Sequence, residues 1–379
     1  MARRIVVLGA TGSIGKQSLD CIRYSTCLEQ PLELAGFSVH TSVAAVASIL
    51  HEWPEAIPAV TGAGSPMHKG WIAGPDAIER LLDVTMPDMV VNGIAGAEGL
   101  RASIAVLARG IHLALANKES VVMGHALLRS LADRHGASIL PVDSEHAALF
   151  QLITRVGAAD IEDLIITASG GPFRTLPLEQ LANVTPEDAI RHPTWRMGRK
   201  ISIDSATMAN KGLELIEAVK LFGMPEQRVR VVIHPQSHIH AMVQARDGAM
   251  YAHLSAPDMR LPILDALYWP KTVSSPYGRI DFSSLVLEFS LPEPARYPML
   301  FLAREAIQAG DAACIAYNAS NEIAVAAFDQ GRIPFPAIAA TVSNVLEEGW
   351  DLPIHDFDDI FRIDSMARKS AHRVLGVSQ

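Results

Sequence analysis

Ile5-Val6-Val7-Leu8-Gly9-Ala10-Thr11-Gly12-Ser13-Ile14-Gly15 is the stretch that decides the fold. Its apolar start reads as a buried strand, and the periodic pattern over 14–24 reads as a helix. Between them, three glycines permit a tight turn and let the backbone approach a pyrophosphate resting on the helix N-terminus. The spacing is GxxGxxG, a variant common among NADP-using enzymes. A glycine turn without a ligand is the competing reading, and the strand-to-helix context favours the nucleotide.

Working outward, apolar runs at 32–38, 89–92, 112–116 and 138–141 alternate with helical patterns at 43–51, 97–108 and 120–134. That rhythm predicts an α/β fold opening with a Rossmann-like parallel sheet domain, 1–142. From 143 to 270 the texture changes to strand-like runs at 164–167, 229–233 and 249–254 joined by longer polar loops, which predicts a central α/β catalytic domain. Residues 271–298 are Pro-rich and read as a linker with one or two short strands. Four helical patterns follow, at 299–308, 314–329, 335–348 and 356–374, and predict a C-terminal four-helix bundle over 299–379.

A chain of 379 residues has room for two or three cores. Its net charge of −9, without any Lys/Arg run, excludes a general nucleic-acid binder. An anionic substrate therefore needs local cations or a metal ion. Cys21, Cys27 and Cys314 form no CxxC pair, which points to a reducing compartment. No signal-peptide architecture follows Met1, and no apolar run approaches the roughly 20 residues a membrane helix requires. A cytoplasmic protein with no membrane partner is expected.

NAD-selective sites place an acid after the second strand to hold the ribose 2′-hydroxyl. Here Gly36-Phe37-Ser38-Val39-His40-Thr41-Ser42 has none. Hydroxyls and an imidazole suit a 2′-phosphate, unless these residues simply begin the next helix.

Further along, Pro141-Val142-Asp143-Ser144-Glu145-His146 closes a strand where open α/β sheets place ligands. If the strand runs on, Asp143 and Glu145 point to one side, and two such carboxylates require a cation or a proton between them. Oxygen donors without Cys select Mg²⁺ or Mn²⁺. A helix cap by Asp143 or Ser144 is the alternative. Ala116-Asn117-Lys118-Glu119-Ser120 also ends a strand: Lys118 suits a substrate oxygen, Asn117 and Glu119 could face a cofactor, and Asn117 could cap the helix.

Ser205-Ala206-Thr207-Met208-Ala209-Asn210-Lys211-Gly212-Leu213-Glu214 reads as a helix start whose polar tips converge on one ligand, or as a solvated face. Glu214 is the candidate third carboxylate for a metal. Ser169-Gly170-Gly171-Pro172 resembles a phosphate-binding turn that Ser205, Asn210 and Lys211 could complete. His192-Pro193-Thr194-Trp195-Arg196-Met197-Gly198 has the look of a lid, although the Trp could instead anchor a core. His234, His238 and His240 lie in strand and loop rather than in an HExxH helix, so zinc is not expected there.

Together these segments closely resemble the 1-deoxy-D-xylulose 5-phosphate reductoisomerases. The similarity runs in order through 9–15, 116–120, 142–146, 169–173, 197–214, 234–237 and 256–260, into Asn318-Ala319-Ser320-Asn321-Glu322. It implies NADPH, a divalent metal, a phosphorylated sugar substrate and a homodimer. It implies metal binding by Asp143, Glu145 and Glu214, with Lys118 joining these three in catalysis. Substrate contacts carry over to Lys118, Ser144, Glu145, Ser169, His192, Ser205, Asn210, Lys211 and Glu214. NADPH contacts carry over to Thr11, Gly12, Ser13, Ile14, Asn117, Glu119 and Gly198, and Trp195 and Met197 match the lid. One departure is His40-Thr41-Ser42, where many members carry a Gly-Lys-Asn-like turn. The implied reaction rearranges the ketose by a retro-aldol/aldol pair or a 1,2-shift, then reduces the aldehyde to 2-C-methyl-D-erythritol 4-phosphate. Another NADP-dependent reductase and a non-catalytic NADP sensor are the competing readings.

Overall fold

A computed structural model of the protein describes residues 2–62, 69–191, 195 and 198–376. His192 and Met197, expected at the site, lie outside them. The backbone parts into two compact units: 1–120 with 128–147 and 258–278, and 121–127 with 148–257 and 279–379.

The first unit is built as alternating strands and helices: β1 (Arg3–Leu8), α1 (Ser13–Ser25), β2 (Leu32–Val39), α2 (Val43–Glu52), β3 (Ile57–Val60), β4 (Ile72–Ala73), α3 (Ala77–Thr85), β5 (Met89–Asn92), α4 (Glu98–Leu107), β6 (His112–Leu115), the helix α5 (Lys118–His135) and β7 (Ile139–Pro141). The strands form one parallel sheet in the order β4-β3-β2-β1-β5-β6-β7. Val6, Val7 and Leu8 are fully buried, as are Val90 and Val91 beside them, as expected of strands covered on both faces. Strand order reverses on the two sides of β1, and that switch point is where such sheets leave a crevice for a ligand. At the turn after β1, a β-carbon on Gly15 would overlap Gly9 O and stand 2.5 Å from Ala10 Cα. Only a bare residue lets α1 start this close to the strand.

The second unit takes 121–127 of α5, resumes within α6 (Ser144–Val156) and contains β8 (Ile161–Ala168), α7 (Pro186–Ala189), α8 (Arg199–Thr207), α9 (Ala209–Phe222), β9 (Val229–Ile233), β10 (Ile239–Ala245) and β11 (Met250–Leu254). The helix α10 (Arg260–Tyr268) returns to the first unit. Four strands make a mixed sheet, β11-β10-β8-β9, in which β8 and β9 are parallel and β10 runs against β8 and β11. A core of Leu149, Leu164, Ile166, Leu215, Val229 and Val243 lies between this sheet and its helices. Four helices close the chain: α11 (Pro298–Ala309), α12 (Asp311–Asp329), α13 (Pro336–Leu346) and α14 (Phe357–Val374). Proline opens α11 and α13, where its missing N–H costs nothing, and Asp356 caps α14 by accepting from Asp359 N–H at 3.0 Å. No helix among the described residues is long and apolar enough to cross a membrane.

The sheet, the helices flanking it and the four closing helices match the expected architecture. Two strand-level expectations do not hold, while Asn210, Lys211 and Glu214 do stand on the first turns of a helix. The chain does not continue as a strand through Asp143 and Glu145: β7 stops at Pro141, and Ala147 N–H donates to Asp143 O at 2.8 Å in the first turn of α6. The linker carries a single bridge, Ile233 to Ser290, rather than a strand of its own. The Ser205–Glu214 stretch is two helices, broken where Met208 takes a left-handed φ of 62°. Strands β3, β4 and β10 and helices α3, α7, α8 and α10 add to the elements legible in sequence.

If the bare α-carbon of Gly15 sets the turn, Gly15→Ala must displace backbone and should lower the unfolding free energy by about 1–3 kcal/mol. An unchanged urea midpoint would reject this close packing.

Candidate active site

At the carboxyl end of β6, Asn117 caps α5. Its Oδ1 accepts from Ser120 N–H at 3.0 Å and from Ser120 Oγ at 2.5 Å. Its Nδ2 donates to Gly96 O at 2.9 Å and to Glu119 Oε2 at 2.7 Å. Ser120 Oγ lies 3.0 Å from Ser103 Oγ, which receives a 2.9 Å bond from Asn92 Nδ2. This buried network fixes the strand end on which Lys118 stands. Asn92 and Ser103 carry no motif, and only their meeting with Ser120 in space reveals the support they give.

Lys118 Nζ is 2.7 Å from Asp143 Oδ2, both side chains being about nine-tenths buried. A carboxylate oxygen of Glu145 and one of Asp143 lie within 4.8 Å of each other. Ser144 Oγ donates to Glu145 Oε2 at 2.5 Å. Two acids this close repel each other unless a cation stands by. In the first unit Lys118 is such a cation, and the all-oxygen donor pair fits a hard divalent ion. Thr11, Gly12, Ser13 and Ile14 form the turn and first residues of α1 in the same unit. His40 stays exposed at the end of β2, with Nδ1 3.2 Å from Thr61 Oγ1.

The second unit holds the other group. Gly170 and Gly171 both have positive φ, and a β-carbon on Gly171 would come within 2.7 Å of Ser205 O. The Ser169–Pro172 turn therefore sits directly on α8 at Ser205, bringing two expected phosphate contacts onto neighbouring backbone. Ser169 Oγ accepts from Gly171 N–H at 3.2 Å, and Tyr297 Oη donates to Gly170 O at 2.9 Å. On α9, Asn210 donates to the Glu214 carboxylate and Lys211 pairs with it; both Lys211 and Glu214 are buried. Helical spacing alone brings these three side chains together. Gly198 is the exposed residue preceding α8.

Trp195 lies 6.2 Å, ring to ring, from buried His240, whose Nε2 is 2.9 Å from Ser255 Oγ. Burial holds the His240 pKa down to about 3, with smaller contributions from His253, Lys211 and His234. His234 is fully buried, with Nδ1 2.9 Å from Glu288 O and Nε2 accepting from His238 N–H at 3.1 Å. Among the described residues, no cluster suited to a metal includes His234, His238 or His240.

The His240 shift has a definite sign. A neutral imidazole is favoured in the fold relative to an unfolded value of about 6.5. Its contribution to stability is complete above that value and is lost as pH falls toward 3. The urea midpoint should therefore drop between pH 7 and pH 4, and His240→Gln should flatten part of that drop. His253, also lowered chiefly by burial, supplies a remainder of the same sign. Identical pH profiles for variant and wild type would exclude His240 as a source.

Three family models cover most of the chain. Residues 5–125 match 1-deoxy-D-xylulose 5-phosphate reductoisomerase, 139–222 match its C-terminal domain, and 254–370 match the DXP reductoisomerase C-terminal domain. The reductoisomerase of Treponema denticola is 46% identical over 370 residues, 97% of this chain and 96% of its own length. That of Pelodictyon phaeoclathratiforme is 43% identical over 385 residues, 98% of this chain and all of its own. Among solved structures, the Zymomonas mobilis enzyme in complex with NADPH superposes with a TM-score of 0.89 at 39% identity, covering 99% of each chain. A reductoisomerase in complex with NADPH, fosmidomycin and magnesium gives 0.90 at 34% identity, covering 99% of this chain and 98% of that one. With the same order of motifs, the same fold and near-complete coverage, this chain belongs to the 1-deoxy-D-xylulose 5-phosphate reductoisomerase family.

Proposed function

We propose that this protein is an NADPH- and divalent-metal-dependent enzyme of isoprenoid precursor synthesis. It converts 1-deoxy-D-xylulose 5-phosphate to 2-C-methyl-D-erythritol 4-phosphate. The observation that carries this reading is the Lys118–Asp143 pair, with Glu145 beside it, at the carboxyl ends of β6 and β7 in the sheet that begins with the glycine turn. A reductase for a phosphorylated ketose requires a nucleotide turn, an acid group for a metal and a fixed cation in one chain.

Asp143, Glu145 and Glu214 would hold the divalent ion; when bound, it polarises adjacent substrate oxygens and offsets charge that develops during carbon–carbon rearrangement. Thr11, Gly12, Ser13, Ile14, Asn117, Glu119 and Gly198 would hold NADPH, which supplies the hydride. The Lys118 ammonium stabilises oxygen charge, its position fixed by the capped helix start. Ser169, Ser205, Asn210 and Lys211, with His192, take the phosphate, while Ser144, Glu145 and Glu214 meet the ketose end. Phosphate binding remote from the reacting carbons supplies orientation that the chemical step uses. The functional division follows as 1–142 for NADPH, 143–270 for catalysis, 271–298 as a linker and 299–379 as helical support.

A Cys-dependent reductase is a poor alternative. Cys21 and Cys314 are buried, and burial raises both thiols, Cys314 to about 11. All three cysteines are free, Cys27 at the surface, which suits a cytoplasmic location. A homodimer is supported by β11, an edge strand that exposes Met250, Tyr251 and Leu254. A second copy pairing about a two-fold axis would cover that edge.

Addition of 1-deoxy-D-xylulose 5-phosphate should oxidise NADPH, and NADH less efficiently, in the presence of Mg²⁺ or Mn²⁺ and not after chelation. Glu214→Gln should raise the metal concentration for half-activation about tenfold or more, in line with loss of a ligand. Absence of turnover would overturn the function, and unchanged metal dependence would remove Glu214 from the ligands. Sedimentation equilibrium should give a dimer that Tyr251→Glu weakens; a wild-type monomer would reject the assembly.

A further inference from the structure

We propose that Asp204 is a positioning residue for the phosphate group of the substrate, acting through Asn321 and Lys200. The inference rests on the reading of Ser169, Ser205, Asn210 and Lys211 as the phosphate cradle.

Asp204 immediately precedes Ser205 on α8, and its side chain is 2% exposed. Its Oδ1 accepts from Asn321 Nδ2 at 2.8 Å, a bond that reaches across 117 residues to α12. Its Oδ2 is 3.1 Å from Lys200 Nζ, one helical turn earlier. Both carboxylate oxygens are thus engaged, one by the neighbouring helix and one by its own. Asn321 is itself fully buried. One turn before it, Tyr317 Oη donates to Met299 O at 3.0 Å and ties α12 to α11. The amide that grips Asp204 therefore projects from a helix held on its other side.

The same few residues of α8 are pressed from another direction by the Gly170-Gly171 turn, which meets Ser205 O. Just beyond, the left-handed Met208 starts α9, whose first turn carries Asn210 and Lys211. A tilt of α8 would move Ser205 relative to Ser169 and would swing the start of α9. That tilt must break the bond from Asn321, the contact that leaves the helix, while the Lys200 pair, internal to α8, holds the Asp204 carboxylate in the orientation that Asn321 meets. A buried ion pair contributes little net stability, yet it penalises wrong geometry strongly because a displaced partner leaves a charge unmatched. The Asp204 contacts thus have the form of an orientation device. Neither Asp204, Lys200 nor Asn321 is needed to touch the substrate.

The decisive variant is Lys200→Met, since the Lys200 side chain is 28% exposed and its loss should leave the fold intact. Inorganic phosphate is titrated into the full-length protein by calorimetry, alongside steady-state kinetics. Lys200→Met should weaken phosphate binding, and raise KM for 1-deoxy-D-xylulose 5-phosphate, by about tenfold or more. KM for NADPH should stay within about twofold, and Lys200→Arg should restore both phosphate readouts. Asn321→Leu should act in the same direction. Unchanged phosphate affinity in Lys200→Met, an equal rise in KM for NADPH, or no phosphate binding by the wild type would each overturn the proposal. If the wild type fails to turn over the sugar phosphate, the proposed function falls, while the phosphate titration still decides the role of Asp204.

Discussion

A carboxylate removed from water must be given a cation or lose its charge, and this chain meets that constraint three times beside its functional residues. Lys118 stands against Asp143, Lys211 against Glu214 and Lys200 against Asp204. Two of these pairs are set by helical spacing, three or four residues apart, and need no long-range folding to find each other. The third joins two strand ends of a parallel sheet. Such pairs are poor devices for stability, because hydrophobic replacements of the same shape often do as well. What they supply is fixed direction for charge, and both halves of the chemistry proposed here depend on it.

Direction in turn depends on backbone that leaves no room for alternatives. The turn after β1 admits no side chain at residue 15, and the turn after β8 admits none at residue 171. The first presses the end of a strand against the start of α1, and the second against the last turn of α8. The first leaves the amides of α1 for an anion, and the second places Ser169 beside Ser205. Asn117 performs the corresponding task at α5 by accepting from Ser120 N–H, which fixes the helix start on which Lys118 stands.

Much of this was legible in the sequence, for reasons that can be named. Strands β1, β5 and β6 are buried on both faces and write uninterrupted apolar runs, so the first unit could be read directly. β10 is also almost wholly buried, but His240 and Gln244 interrupt its run and the preceding histidines draw attention elsewhere. β4 has two residues and offers no period to detect. The 143–145 stretch misled because acids directly after a strand fit both a strand continuation and a helix start. The first turn of α6 won, since it pairs backbone groups that a solitary strand extension would leave open. Motif residues announced themselves, whereas their supports did not. Asn92 and Ser103 act through hydrogen bonds that leave no periodic trace, and Asn321, although within the 318–322 stretch, shows nothing in sequence of its bond to Asp204.

Net charge would seem to oppose the proposed ligands, both of them phosphate esters, since the chain carries −9. The range of the interactions resolves this. At physiological ionic strength a charge in water is screened beyond about 8 Å, so the distant acidic surface contributes little where a phosphate docks. Lys211 is 4% exposed and lies in a far less screened medium than the surface acids. Its field acts at contact distance. A few buried ammonium groups on fixed helix starts can therefore outweigh a larger number of solvated carboxylates, and the sign of the whole protein need not match the sign of its site.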